Sequence, residues 1–292
     1  MTHRAPTFGP DHPEAIPFDK WVGAGNDFII LDNRSGVYSA HASTLARRLC
    51  DRHLSIGADG LILLESSVKA HIRVRFFNPD GTEFNMCMNG TRCVARYAVV
   101  HVITHRQLTI ETNVGLIEAH VEYDRVTLRM LRTVELALDR HIRLDTIGLR
   151  YHYVRVGDPH IVVPVRNIWN INVTYYGRRL RWHAAFVPRG TNVNFVHIVR
   201  AGEIDIRTYE RGVEAETYSC GSGCVSTALA FHAKGLRWPE YRFHTRAGVD
   251  LVVRLAPQGP RLMAIEVEGE ARRVCSGQIF PEGWAYAEPR HA

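Results

Sequence analysis

The chain has 292 residues, is 46% hydrophobic and 23% charged, and carries a net charge of +6. That composition supplies a substantial core and, at this length, points to two domains. No apolar run approaches the 18 residues of a membrane span, and arginine supplies 33 of the 36 cations without a run of five or six like charges, so neither a membrane nor nucleic acid is an expected partner.

Residues 1–16 lack the apolar centre of a signal peptide and read as a loose arm. Six cysteines without such a signal fit a reducing cytoplasm better than a disulfide scaffold. From there, strand-like runs dominate: "DFIILD" (27–32), "LILLE" (61–65), "IRVRFF" (72–77), "VTLRML" (126–131), "VNFVHIV" (193–199), "IDIRTY" (204–209) and "LVVRLA" (251–256). Helical patterns are fewer, at 42–51, 90–103 and 223–235. The mixture predicts an α+β fold rather than strict βαβ alternation.

Two cysteine loops head parallel stretches of sequence. Cys87 in "NMCMNGTRCVARYA" and Cys220 in "YSCGSGCVSTALA" each precede a helix, then a strand, a Thr-x-x-Gly turn and a hairpin. The spacing from Cys87 to Gly115 is 28 residues, and so is that from Cys220 to Gly248. The chain therefore reads as two copies of one domain, 17–134 and 135–275. In a pseudo-two-fold pair the two loops meet at a cleft.

A cysteine at a helix mouth feels the positive end of the helix dipole, which favours thiolate, and the same N–H groups bind a carboxylate. Gly90, Gly221 and Gly223 are expected to let the backbone approach a ligand closely. Two sulfurs on opposite faces of one carbon provide a base and an acid for inverting a stereocentre, with no cofactor. Cys93 and Cys224 lie within the helices and read as core, and Cys50 and Cys275 read as structural. No Cys-x2-Cys pair is present, so no zinc site is expected.

At these residues the sequence resembles the diaminopimelate epimerases, pyridoxal-independent amino-acid epimerases. The segments that carry the resemblance are "GAGNDFIILD", "RHLSIGADGLILLE", "RFFNPDGTEFNMCMNGTRCVARYA", "GDPHIVV", "GTNVNFVHI" and "TYERGVEAETYSCGSG". The resemblance implies two pseudo-symmetric lobes, each a mixed barrel-like sheet around a central helix, with the last strand, in segment 276–284, returning to the first lobe. It implies interconversion of LL- and meso-diaminopimelate, and a homodimer. Cys87 and Cys220 match the two catalytic bases. Asn89, Gly221 and Ser222 match the cradle of the α-carboxylate. Asn26 and Glu210 match polar residues around the reacting amino acid, with Glu210 suited to its ammonium. Arg211 matches the residue that fixes the distal carboxylate, Asn78 and Asn192 match its hydrogen-bonding neighbours, and His160 matches a histidine beside the site. Asn78 also opens "NPDG", a plausible β-turn.

Two positions depart from the family pattern. Met88 stands where a glycine is usual, which denies the loop an easy φ > 0 conformation and adds a long side chain beside the cradle. Asp158 stands where asparagine is common. An ionised carboxylate there, about 4 Å from a distal carboxylate, costs about 4 kcal/mol at an effective dielectric near 20. It suits a distal cation or imidazole, unless Asp158 pairs with Arg211 or caps a turn before Pro159. A second reading therefore stands beside the first: a racemase of histidine or of a basic amino acid on the same fold.

Overall fold

A computed structural model of the chain describes residues 15–285. The expected loose arm lies outside the described residues except at its end, where Ile16 is buried and opens the first strand. The chain divides into two compact units, residues 15–126 with 271–285, and residues 127–270.

The first unit begins with β1 (Ile16–Gly23) and β2 (Asn26–Asp32), an antiparallel hairpin with Gly23 opposite Asn26. Its two turn residues, Ala24 and Gly25, both have positive φ (49° and 89°), as a two-residue hairpin turn requires. Helix α1 (Ala42–Leu49) carries the chain to β3 (Gly60–Glu65), which pairs parallel with β2, and β4 (Ile72–Phe77) returns antiparallel to β3. After the short β5 (Glu83–Phe84), helix α2 (Met88–Val100) crosses to β6 (Gln107–Thr112), which is parallel to β4. Strand β7 (Gly115–Glu122) then closes a hairpin with β6.

The second unit repeats this order after two added strands, β8 (Arg125–Thr133) and β9 (Glu135–Leu144). The hairpin is β10 (Ile147–Val156) with β11 (Asp158–Pro164). Helix α3 (Val173–Arg181) crosses to a parallel β12 (Asn192–Arg200), and β13 (Glu203–Glu210) returns antiparallel. After β14 (Ala215–Thr217), helix α4 (Gly221–Ala233) crosses to β15 (Tyr241–His244), parallel to β13. Strands β16 (Asp250–Pro257) and β17 (Leu262–Glu270) complete the meander, and β8 pairs with β17. The last strand, β18 (Arg272–Ile279), pairs antiparallel with β1 in the first unit. The fold is α+β, and the duplication read from the cysteine spacing reappears as one strand order used twice.

Helices α2 and α4 are both 13 residues long and are buried along most of their length. Helix α4 is apolar nearly all round, the pattern of an interior helix. The strands they cross are buried on both faces: Leu61, Ile62, Leu63 and Leu64 of β3 are all fully buried, which is why "LILLE" is a continuous apolar run instead of an alternating one. Among the described residues no helix is long and apolar enough to cross a membrane.

Helix α3 escaped the periodicity reading because Gly177 and two β-branched residues weaken its signal. Packing explains the glycine: a Cβ at Gly177 would lie 2.4 Å from Cβ of Tyr209. Gly177→Ala should therefore destabilise the protein by about 1–3 kcal/mol through overpacking, although alanine is the better helix former by about 1 kcal/mol. Urea unfolding of the variant checks the sign.

Candidate active site

In the first unit, Cys87 is the N-cap of α2, with extended backbone (φ −127°, ψ 121°). Its carbonyl accepts from both the amide and the hydroxyl of Thr91, each at 2.8 Å, and its side chain is half-buried. Met88 and Asn89 form the first helical turn, and both are buried. Met88 excludes no conformation that the loop uses. The position is helical, with no positive φ to favour glycine, and the side chain turns inward. Gly90 has a packing role that the sequence did not show. Its missing Cβ is filled by protein, with Phe76 at 3.0 Å and Ile62 at 3.1 Å, so its absence of a side chain serves packing of α2 on the sheet.

A directed chain of hydrogen bonds fixes the amides beside Cys87. Arg92 is fully buried and can only donate; its Nη2 reaches Asn89 Oδ1 at 2.6 Å. Asn89 Nδ2 must then donate, and does so to Asn26 Oδ1 at 2.6 Å. Asn26 Nδ2 donates in turn to Asp59 at 3.0 Å. Asp59 is held by Arg52 at 2.7 Å, Arg52 also grips Asp27 at 2.6 Å, and Lys20 meets Asp27 at 2.8 Å. Burial raises the Asp27 carboxyl, but hydrogen bonds from Arg52 and Lys20 outweigh it and hold the group at about 2. Sequence reasoning found Asn26 and Asn89 but missed Arg92, Asp59, Arg52, Asp27 and Lys20. A buried arginine within an otherwise apolar helix face was the available signal. Asn78 stands apart from this chain: its side chain donates to Thr82 at 3.0 Å and its backbone closes a turn over residues 78–82.

In the second unit, Cys220 is the N-cap of α4, again extended (φ −134°, ψ 106°), and its carbonyl accepts from Cys224 N at 3.0 Å. Gly221 and Ser222 open the helix, with Ser222 Oγ 3.3 Å from the sulfur. The expected low thiol pKa is not found at Cys220. Burial, followed by the negative charge of Glu210, raises it well above the ordinary value, against the smaller opposing effects of Ser222 and the Gly223 amide. Desolvation outweighs the helix dipole, because the dipole contributes only about half a charge. Gly223 also serves packing, since a Cβ there would lie 2.2 Å from Asn194 Oδ1.

Around Glu210 the remaining predicted residues converge. Asn192 links two strands: its Nδ2 donates to the Pro159 carbonyl at 3.1 Å and its Oδ1 accepts from the Arg211 amide at 2.8 Å. The Arg211 guanidinium pairs with the Asp158 carboxylate. His160 is fully buried and lies 3.2 Å from Asn194 Nδ2. Burial, followed by the charge of Arg211, pushes its imidazole down to about 3, so it is neutral near pH 7. Asn194, which also accepts from Thr208 at 3.0 Å, was missed. It lies two residues after Asn192, on the same strand face, which is the clue alternation offered.

Cys93 and Cys224 are fully buried in their helices, as read from sequence. Cys50 is buried too, which pushes its thiol up to about 12, whereas Cys275 is exposed on β18. Among the described residues no three of His, Cys, Asp and Glu cluster as a metal site.

The sequence model of the diaminopimelate epimerase family matches residues 18–134 and 152–274. The chain belongs to that family. It is 34% identical over 282 residues to the diaminopimelate epimerase of Aquifex aeolicus, covering 93% of this chain and 100% of that protein. It is 39% identical over 229 residues to that of a Hydrogenobaculum species, covering 74% and 83%. Solved structures share the fold at low identity. A hydroxyproline epimerase from Agrobacterium vitis is similar with a TM-score of 0.69 at 18% identity, covering 94% of this chain and 96% of that one. A Bacillus anthracis protein of the PhzF phenazine-biosynthesis family also reaches 0.69, at 16% identity, covering 91% and 98%. The relatives do not favour the reading as a racemase of histidine or of a basic amino acid.

Two outcomes follow from the charges. Because the folded pKa of His160 is depressed, its contribution to stability is present above about pH 6.5 and is lost progressively as pH falls toward 3. Between pH 7.5 and pH 5, wild type should lose roughly 2 kcal/mol more than His160→Gln, measured by urea unfolding at both pH values. Glu210→Gln should lower the pH midpoint for alkylation of Cys220, followed by mass spectrometry of its peptide in a Cys87→Ala background. An unchanged midpoint would assign the raised thiol to burial alone.

Proposed function

We propose that the protein interconverts LL- and meso-diaminopimelate by proton transfer at one α-carbon, without pyridoxal phosphate or another cofactor. One observation carries the reading: in a chain of this family, the N-cap of each of the two long buried helices is a cysteine. In one direction a thiolate at Cys87 takes the α-hydrogen as a proton, and the electron pair stays on carbon next to the carboxylate. The neutral thiol of Cys220 then returns a proton to the opposite face. The reverse direction exchanges the two roles. No oxidation or reduction occurs, so acid and base suffice.

The backbone N–H groups of Asn89, Gly221 and Ser222 are assigned to the α-carboxylate, where helix N-termini stabilise the charge that spreads onto it as the proton leaves. Glu210 is assigned to the α-ammonium. Arg211 and Asn192 are assigned to the distal end, with Asn78. Asn26 holds Asn89, and His160, neutral and buried, accepts from Asn194. A homodimer in the cytoplasm belongs to the same reading.

Purified, reduced protein should convert LL-diaminopimelate to the meso form with no added cofactor. Cys87→Ala and Cys220→Ala should each lower kcat by at least about 10²–10⁴-fold, the usual contribution of a positioned acid or base. No conversion by folded, reduced wild type would sink the reading.

A further inference from the structure

Asp158 and Arg211 form a pair of opposite charges whose bonding capacity is only partly used. The guanidinium carries five N–H donors, and the carboxylate has two oxygens. Among the described residues, the polar contact of the Asp158 side chain is the one it makes through Oδ1 with Arg211. The Asp158 side chain is 63% exposed and that of Arg211 is 27% exposed, so both are open on one side. Their positions are tied together by one residue. Asn192 holds the carbonyl of Pro159, next to Asp158, and the amide of Arg211. A negative and a positive group are thus fixed side by side at the edge of the half-site that contains Cys220 and Glu210.

That arrangement has a chemical complement: a carbon that bears both an ammonium and a carboxylate. A simple dicarboxylate would satisfy Arg211 but bring its charge against Asp158, and a simple amine would do the reverse. An α-amino-acid head satisfies both, because the internal pair is exchanged for two intermolecular ones and no charge is left unpaired. Diaminopimelate has such a head at its non-reacting end. We propose that the Asp158–Arg211 pair recognises that end as a zwitterion, Arg211 binding its carboxylate and Asp158 its ammonium. The proposal rests on the diaminopimelate reading above. It also gives a role to the residue that departs from the family pattern: Asp158 adds a contact to the distal ammonium.

The test compares diaminopimelate with 2-aminopimelate, which keeps both carboxylates and lacks the distal ammonium. Wild type should prefer diaminopimelate in kcat/KM by tenfold or more. Asp158→Asn should raise KM for diaminopimelate about tenfold with kcat little changed, and should lower KM for 2-aminopimelate or leave it unchanged, since that substrate loses a repulsion and no contact. Asp158→Glu, which keeps the charge, should restore most of the difference, and thermal unfolding checks that each variant is folded. A KM for diaminopimelate that is unchanged or lower in Asp158→Asn would overturn the proposal, because Asp158 would then only compete for Arg211. An equal rise for both substrates would overturn it as well, since that is the mark of a scaffolding role. Wild type inactive on diaminopimelate would defeat the underlying reading instead.

Discussion

A helix buried along its length must still find partners for the four N–H groups at its start. Each unit of this protein meets that constraint twice over. Its central helix begins at a cysteine in extended conformation, and the first helical turn is itself buried or nearly so. Ser, Thr, Asn or Asp would normally occupy such a cap. Cysteine is a poor substitute for capping, and its sulfur is a good acid or base, so the residue type points to chemistry rather than to helix stability.

The surroundings of the two sulfurs differ in kind. Beside Cys87 the network is a directed chain, from the obligate donor Arg92 through two amides to the acceptor Asp59. Neither asparagine can flip without breaking bonds at both ends, so rigidity is its main property. Beside Cys220 the arrangement is electrostatic. Burial, and after it the charge of Glu210, raises the thiol, and Arg211 adds to the burial that keeps His160 neutral while pairing with Asp158. The neutral imidazole matters because a buried cation there would repel Arg211 and weaken the strand link that Asn192 makes.

Much of the fold was legible in the sequence. The strand runs and the equal spacings from cysteine to glycine became the repeated strand order, and the helices predicted at 90–103 and 223–235 begin two residues earlier, at 88 and 221. That shift places each cysteine at the cap. Helix α3 was hidden because its glycine is dictated by Tyr209, a contact distant in sequence. The packing at Gly90 and Gly223 was hidden for the same reason: a glycine reports that space is filled, without saying what fills it. The height of the Cys220 pKa was equally out of reach, since burial and the neighbouring carboxylate arise only on folding. The pairing of Asp158 with Arg211, 53 residues apart, was open in the sequence as one reading of Asp158 among several, and the geometry shows it.

The central claim is that two different groups handle the proton on the two faces of the α-carbon. The direct measurement is the isotope content of substrate and product early in a reaction run in deuterium oxide from LL-diaminopimelate alone. Two bases predict deuterium at the α-carbon of the meso product while the remaining LL substrate stays protiated. Equal early labelling of substrate and product would contradict the account, because a single group would then be serving both faces.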